Sequence, residues 1–116
     1  MFVLYVVVAG ATVLANTGIA GADLVRADFV LANSAEVGVP RSWLPWLAGL
    51  KAAGAAGVLL GLLGVPVIGI AAAGGLVAFF LGAVIAHLRA RVYHNVAFPG
   101  CYLALAVASL AFAALR

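Results

Sequence analysis

LPWLAGLKAAGAAGVLLGLLGVPVIGIAAAGGLVAFFLGAVIAHL, residues Leu44–Leu88, decides the fold. It reads as two apolar helices back to back, with only Leu63-Gly64-Val65-Pro66 to turn between them. Within it the ionisable residues are Lys51 and His87, and Arg89 follows just past the end. A run of about 20 apolar residues spans the hydrocarbon core of a bilayer. The stretch therefore predicts a transmembrane hairpin with a lysine and a histidine near the same mouth.

The rest of the chain agrees in kind. Of 116 residues, 68% are hydrophobic and 8% charged, with mean hydropathy +1.31. Soluble domains run at about 45–50% apolar and about 25% charged, so a water-soluble fold is excluded. Four spans of about 20 residues with short loops use nearly the whole length. The expectation is an all-α membrane protein: one domain, residues 1–116, forming a four-transmembrane-helix bundle with spans near 2–20, 44–63, 67–88 and 97–115. The net charge of +3 sits at segment ends. It lacks the basic face that nucleic-acid binding needs. A single cysteine, Cys101, excludes an internal disulfide and a CxxC redox pair; inside an apolar run it reads as an inert buried thiol.

Phe2 to Ala20 forms the first span, without the basic n-region of a signal peptide. Its polar Asn16 and Thr17 need partners on a neighbouring helix. Gly21 to Ser42 holds every acidic residue of the chain, Asp23, Asp28 and Glu36, together with Arg26 and Arg41. At about 100° per residue, Leu24, Ala27, Leu31 and Ala35 share one side and Asp23, Arg26, Asn33 and Glu36 the other. This predicts a helical amphipathic segment after the first span, with Asp28 turned toward the apolar side. Val39-Pro40-Arg41-Ser42 breaks it; Ser42 suits an N-cap and Pro45 the first turn of the next helix.

Trp43 and Trp46 mark the interface of the second span. Gly57 and Gly61 make a GxxxG pair for close helix approach, and the third span offers small-residue rows at Ala71/Gly75 and Ala78/Gly82/Ala86. Arg89 to Val96 is a polar connector before the last span. Arg26, Arg41, Arg89 and Arg91 lie in the loops at 21–43 and 89–96, against Arg116 and the N-terminal amine on the other side. The positive-inside rule puts those loops in the cytoplasm and both termini outside.

Several stretches in order resemble the DoxX-like family of small four-helix bacterial membrane proteins. They are Asn33-Ser34-Ala35-Glu36-Val37-Gly38-Val39-Pro40, the glycine-rich run from Leu47 to Gly61, the run Gly69 to Val77, and Gly82-Ala83-Val84-Ile85-Ala86-His87-Leu88-Arg89. The resemblance implies a four-helix bundle in a bacterial plasma membrane. The family takes its name from a membrane subunit linked to thiosulfate:quinone oxidoreduction. Where many members carry Glu, this chain has Lys51, so a role resting on that carboxylate does not carry over.

The candidate ligand-binding residues are Asp28, Lys51, His87, Arg89 and Asn16. Lys51, about 10 Å along its helix, either snorkels to the interface or forms a buried pair with Asp28 or Glu36. His87 either satisfies itself on a backbone carbonyl or acts on protons or headgroups beside Lys51, Asp28 or Arg89. No metal site is expected: His87 and His94 lack further ligands. No haem-ligand pair or iron–sulfur cysteine set is present. The first functional reading is therefore a non-catalytic membrane subunit, or a lipid- or quinone-binding partner of a redox or envelope system. Its expected partners are membrane lipid and either a homo-oligomer or a larger membrane complex, and its cofactors none beyond a bound quinone or lipid. The second is an enzyme on a lipid-soluble substrate with Asp28, Lys51 and His87 as acid–base groups. A small transporter comes last, because that class needs an acidic residue deep in the first span and Phe2 to Ala20 has none.

Overall fold

A computed structural model describes residues 2–115. The Arg116 charge counted above for orientation lies outside the described residues. The chain forms α1 (Phe2–Leu24), α2 (Asp28–Glu36), a 3-10 turn at Arg41–Trp43, α3 (Leu44–Leu62), α4 (Pro66–Arg89) and α5 (Ala97–Leu115). Four helices are long and apolar enough to cross a membrane: Phe2–Leu24, Arg41–Leu62, Pro66–Arg89 and Ala97–Leu115. They stand up-down-up-down, α1 packing on α3 and α5 and α4 on the same two. Short α2 closes the end where α1 and α4 finish.

The distribution of polarity is inverted relative to a soluble bundle. Leu14, Trp46 and Val67 are 76%, 78% and 76% exposed, whereas Thr12, Asn16, Asp23, Lys51, His87 and Ser109 are buried. Apolar surface of this extent facing outward is stable only against lipid. Inside, Thr12 Oγ1 and Ser109 Oγ share a hydrogen bond of 2.7 Å that ties α1 to α5. Asn16 Nδ2 donates to Thr12 O of its own helix at 2.9 Å. Thus Thr12, rather than Asn16 or the exposed Thr17, makes the interhelical bond.

The α3–α4 hairpin closes on glycine. A Cβ at Gly61 would stand 2.6 Å from Gly69 Cα, so the two backbones touch there, and one at Gly57 would stand 2.4 Å from Ala72 Cβ. The GxxxG pair is used as expected. Its partner row on α4 is instead Gly69 and Ala72; Gly75 and Gly82 face open space. Leu63 and Gly64 make the turn, Gly64 taking φ +116° while Val65 N donates to Leu60 O at 3.0 Å.

Two other expectations are corrected. Ser42 lies within the 3-10 turn and gives no cap, the residue before α3 being Trp43 with Pro45 in the first turn. Cys101 is exposed on the outer face of α5, because its neighbours Tyr102 and Ala106 take the inward positions.

Candidate functional site

The end of the bundle covered by α2 contains a cavity of about 290 Å³, walled by α1 to α5 and the loops beside them. Its position follows from how α1 stops. The inward stripe of α1 is Tyr5, Ala9, Thr12, Asn16, Ile19, Ala20 and Asp23, a 3-4 spacing that carries Asp23 into the interior. Arg26 then adopts φ +52°, and Ala27 N donates back to Ala22 O at 3.0 Å. This is the six-to-one closure of a helix C-terminus. The helix that resumes at Asp28 has a new phase, burying Val30 and Ser34 and turning Asn33 and Val37 to the cavity.

That break explains why the phasing of one continuous helix misassigned the carboxylate. Asp28 is exposed in the first turn of α2, where a negative charge suits the helix N-terminus. Asp23, assigned above to the polar face, is 3% exposed and forms the ion pair with Lys51. Lys51 does not snorkel: its side chain is 9% exposed and its Nζ lies 5.5 Å from the centroid of the Phe79 ring. A charge in the apolar interior is tolerated when it is paired, and the pair adds no net charge to the cavity.

His87 stands on α4 across the cavity, 3% exposed. Its Nδ1 lies 2.8 Å from Ala83 O, so the backbone-carbonyl partner expected of it is present. Its Nε2 lies 2.9 Å from Asn33 Oδ1, to which Asn95 Nδ2 also donates at 2.9 Å. Both ring nitrogens thus face oxygen. Rotating both amides by half a turn gives a second pattern, in which Asn33 Nδ2 donates to Nε2 and to Asn95 Oδ1. Asn95 Oδ1 is otherwise buried without a hydrogen-bond partner. Either pattern ties α2, α4 and the 90–96 loop together. The exposed pair of His94 Nε2 and Glu36 Oε2, 3.3 Å apart, adds little at such exposure.

Phe29, Phe79, Phe80 and Phe98 line the rest of the cavity, and Tyr102 behind them joins the rings into one series. Phe29 and Phe98 lie 6.2 Å apart, Phe98 stacks on Tyr102 at 5.2 Å, Tyr102 meets Phe80 at 5.1 Å, and Phe80 meets Phe79 edge-on at 5.0 Å. The series runs from the outer wall to the floor, where Lys51 caps it.

Of the residues singled out from the sequence, Lys51 and His87 share the cavity. Asp28 and Arg89 are exposed and outside its wall. Asn16 is fully buried below the floor, its Oδ1 without a hydrogen-bond partner. Asp23, Asn33 and Asn95 replace them. The signal for Asp23 was its spacing of seven from Asn16 on one helix face; nothing local marks Asn95. Among the described residues no three His, Cys, Asp or Glu side chains gather as a metal site.

No curated protein and no solved structure matches the chain. The family model of the DoxX-like family matches residues 7–109, nearly the full length, and the chain belongs to that family.

Proposed function

We propose that this membrane protein binds the ring head of a neutral, lipid-soluble molecule of the quinone class in the cavity under α2, as a non-catalytic partner of a redox system. The observation that carries the reading is an apolar, aromatic-walled cavity whose charges cancel as Asp23 and Lys51. Binding sites for small lipophiles combine apolar walls with a few fixed polar groups, and His87, Asn33 and Asn95 supply these. Size agrees: about 290 Å³ is roughly twice the ~150 Å³ cavity that accepts benzene, enough for a one- or two-ring head. An anionic phospholipid head is disfavoured, because the basic Arg89 and Arg91 stand exposed outside the cavity. The same reading places the chain in a bacterial plasma membrane with the 21–43 and 89–96 loops in the cytoplasm, as the basic residues favour. Assembly as a homo-oligomer or within a larger membrane complex belongs to it as well.

The test is the quinone and lipid content of protein purified in mild detergent, compared with an Ala86→Phe variant that fills the cavity. The reading expects quinone enriched over the bulk membrane extract in the native chain and lost in the variant at unchanged melting temperature. Quinone at the bulk ratio in both would sink it.

A further inference from the structure

A second, open concavity of about 690 Å³ runs down the outer face of the α3–α4 hairpin. We infer that it holds the hydrocarbon chain of the molecule whose head occupies the cavity, so that the ligand is a long-chain ring lipid rather than a bare ring; the inference rests on the reading given under Proposed function. Phe79 is a wall common to both spaces. On α3 the adjacent residues Lys51 and Leu50 divide between them, Lys51 facing the cavity and Leu50 the groove. The two spaces thus lie on either side of Phe79, at the depth of the cavity floor.

Its direction fits an amphipathic molecule. From Leu50 to Gly57 on α3 and from Phe79 back to Ile68 on α4, the helical rise gives a length of about 10 to 16 Å. It leads away from the polar end toward the opposite turn. A head among His87, Asn33 and Lys51 would thus send its chain along the membrane normal, parallel to the surrounding lipid. The groove is hollow because α4 presents Ala71 and Gly75 there, and a Cβ at Gly75 would meet nothing within 4 Å. Substituting Gly75 therefore fills the groove without disturbing the Gly61–Gly69 contact that closes the hairpin.

The chain leaves lipid that is as apolar as the groove, so it gains packing alone. Its advantage in affinity should be modest, about threefold to tenfold. The experiment uses the full chain in lipid nanodiscs and three probes: a methylnaphthoquinone without a side chain, the same ring with an isoprenoid chain, and that chain-bearing ring with a diazirine at the chain's far end. With a chain matched to the groove's length, the diazirine on irradiation should label its far end, near Gly57 on α3 and Ile68 to Ala72 on α4, and the chainless ring should compete the label away. Gly75→Leu and Ala71→Leu should each reduce the label and the affinity advantage of the chain, while the chainless ring binds as in the native protein. Competable label on the outer faces of α1 or α5, or label unchanged by both variants, overturns the inference and leaves the head site standing. Failure of the chainless ring to bind overturns both. A second copy seated in the groove would give an intermolecular disulfide from Gly75→Cys in a Cys101→Ser background, and that result overturns the inference too.

Discussion

Asp23 and Lys51 form an ion pair across the α1–α3 interface, with side chains 3% and 9% exposed. Removing one member of a buried pair strands the other, at a cost of about 3–5 kcal/mol, whereas replacing both by neutral groups of similar size is often tolerated. Lys51→Met or Asp23→Asn alone should therefore lower the thermal stability of the protein in detergent sharply. The double variant should regain most of the loss. Losses that simply add in the double variant of a double-mutant cycle would show that the two charges are not coupled.

Asp28 supplies the control. It lies exposed in the first turn of α2, where a negative charge is worth about 0.3–1 kcal/mol. Asp28→Asn should shift the melting temperature only slightly and should not rescue Lys51→Met. Rescue by Asp28→Asn would mean that the carboxylates exchange as partners of Lys51.

Arg26 holds a left-handed conformation at φ +52°, which costs a residue with a Cβ about 1–2 kcal/mol. Arg26→Gly should raise stability by about 1 kcal/mol, read as a higher midpoint in thermal unfolding. A lower midpoint would show that the arginine side chain contributes more than the strain removes.

These two residues also mark what the sequence could and could not tell. The four spans were legible because apolar runs of bilayer length are a one-dimensional signal, and their ends fall within a few residues of those expected. Lys51 and His87 were legible as a pair at one mouth, since an antiparallel hairpin equates an early position with a late one. The carboxylate was not, because one residue in the left-handed region resets helical phase and no propensity marks Arg26 for it. Asn33 and Asn95 escaped for a different reason: their contact joins residues 62 apart in sequence, which depends on how α2 folds over the bundle. Gly69 escaped because choosing among several small-residue rows on α4 requires the hairpin register.

That register gives a contrast between glycines. At Gly61 an added methyl meets the Gly69 backbone at 2.6 Å, while at Gly75 it meets nothing. Gly61→Ala should force the hairpin apart and cost about 1–3 kcal/mol, as overpacking does. Gly75→Ala should be neutral or stabilising by up to about 1 kcal/mol through helix propensity. Unfolding midpoints in one detergent decide it; equal effects at the two sites would mean that the helices do not close on Gly61.

The last prediction concerns how α2 is held. Val30 packs with Ile19 and Leu44 beneath it, while Asn33 joins it to His87 and Asn95 by contacts of 2.9 Å. His87 is buried and Asn33 and Asn95 half-buried; deleting a partner of a buried polar group costs about 1–3 kcal/mol, because the remaining groups lose their hydrogen bonds. Asn33 sits at the centre, bonded to both others, so Asn33→Ala should unfasten the segment more than Asn95→Ala. Since the three act as one network, His87→Ala combined with Asn33→Ala should cost less than the sum of the two singles. The measurement is amide hydrogen exchange, which reads local opening separately from global unfolding. Exchange should quicken across residues 28–36 while α3 and α4 keep their protection. Uniform quickening along all helices would show that the network supports the whole bundle rather than the cover over its cavity.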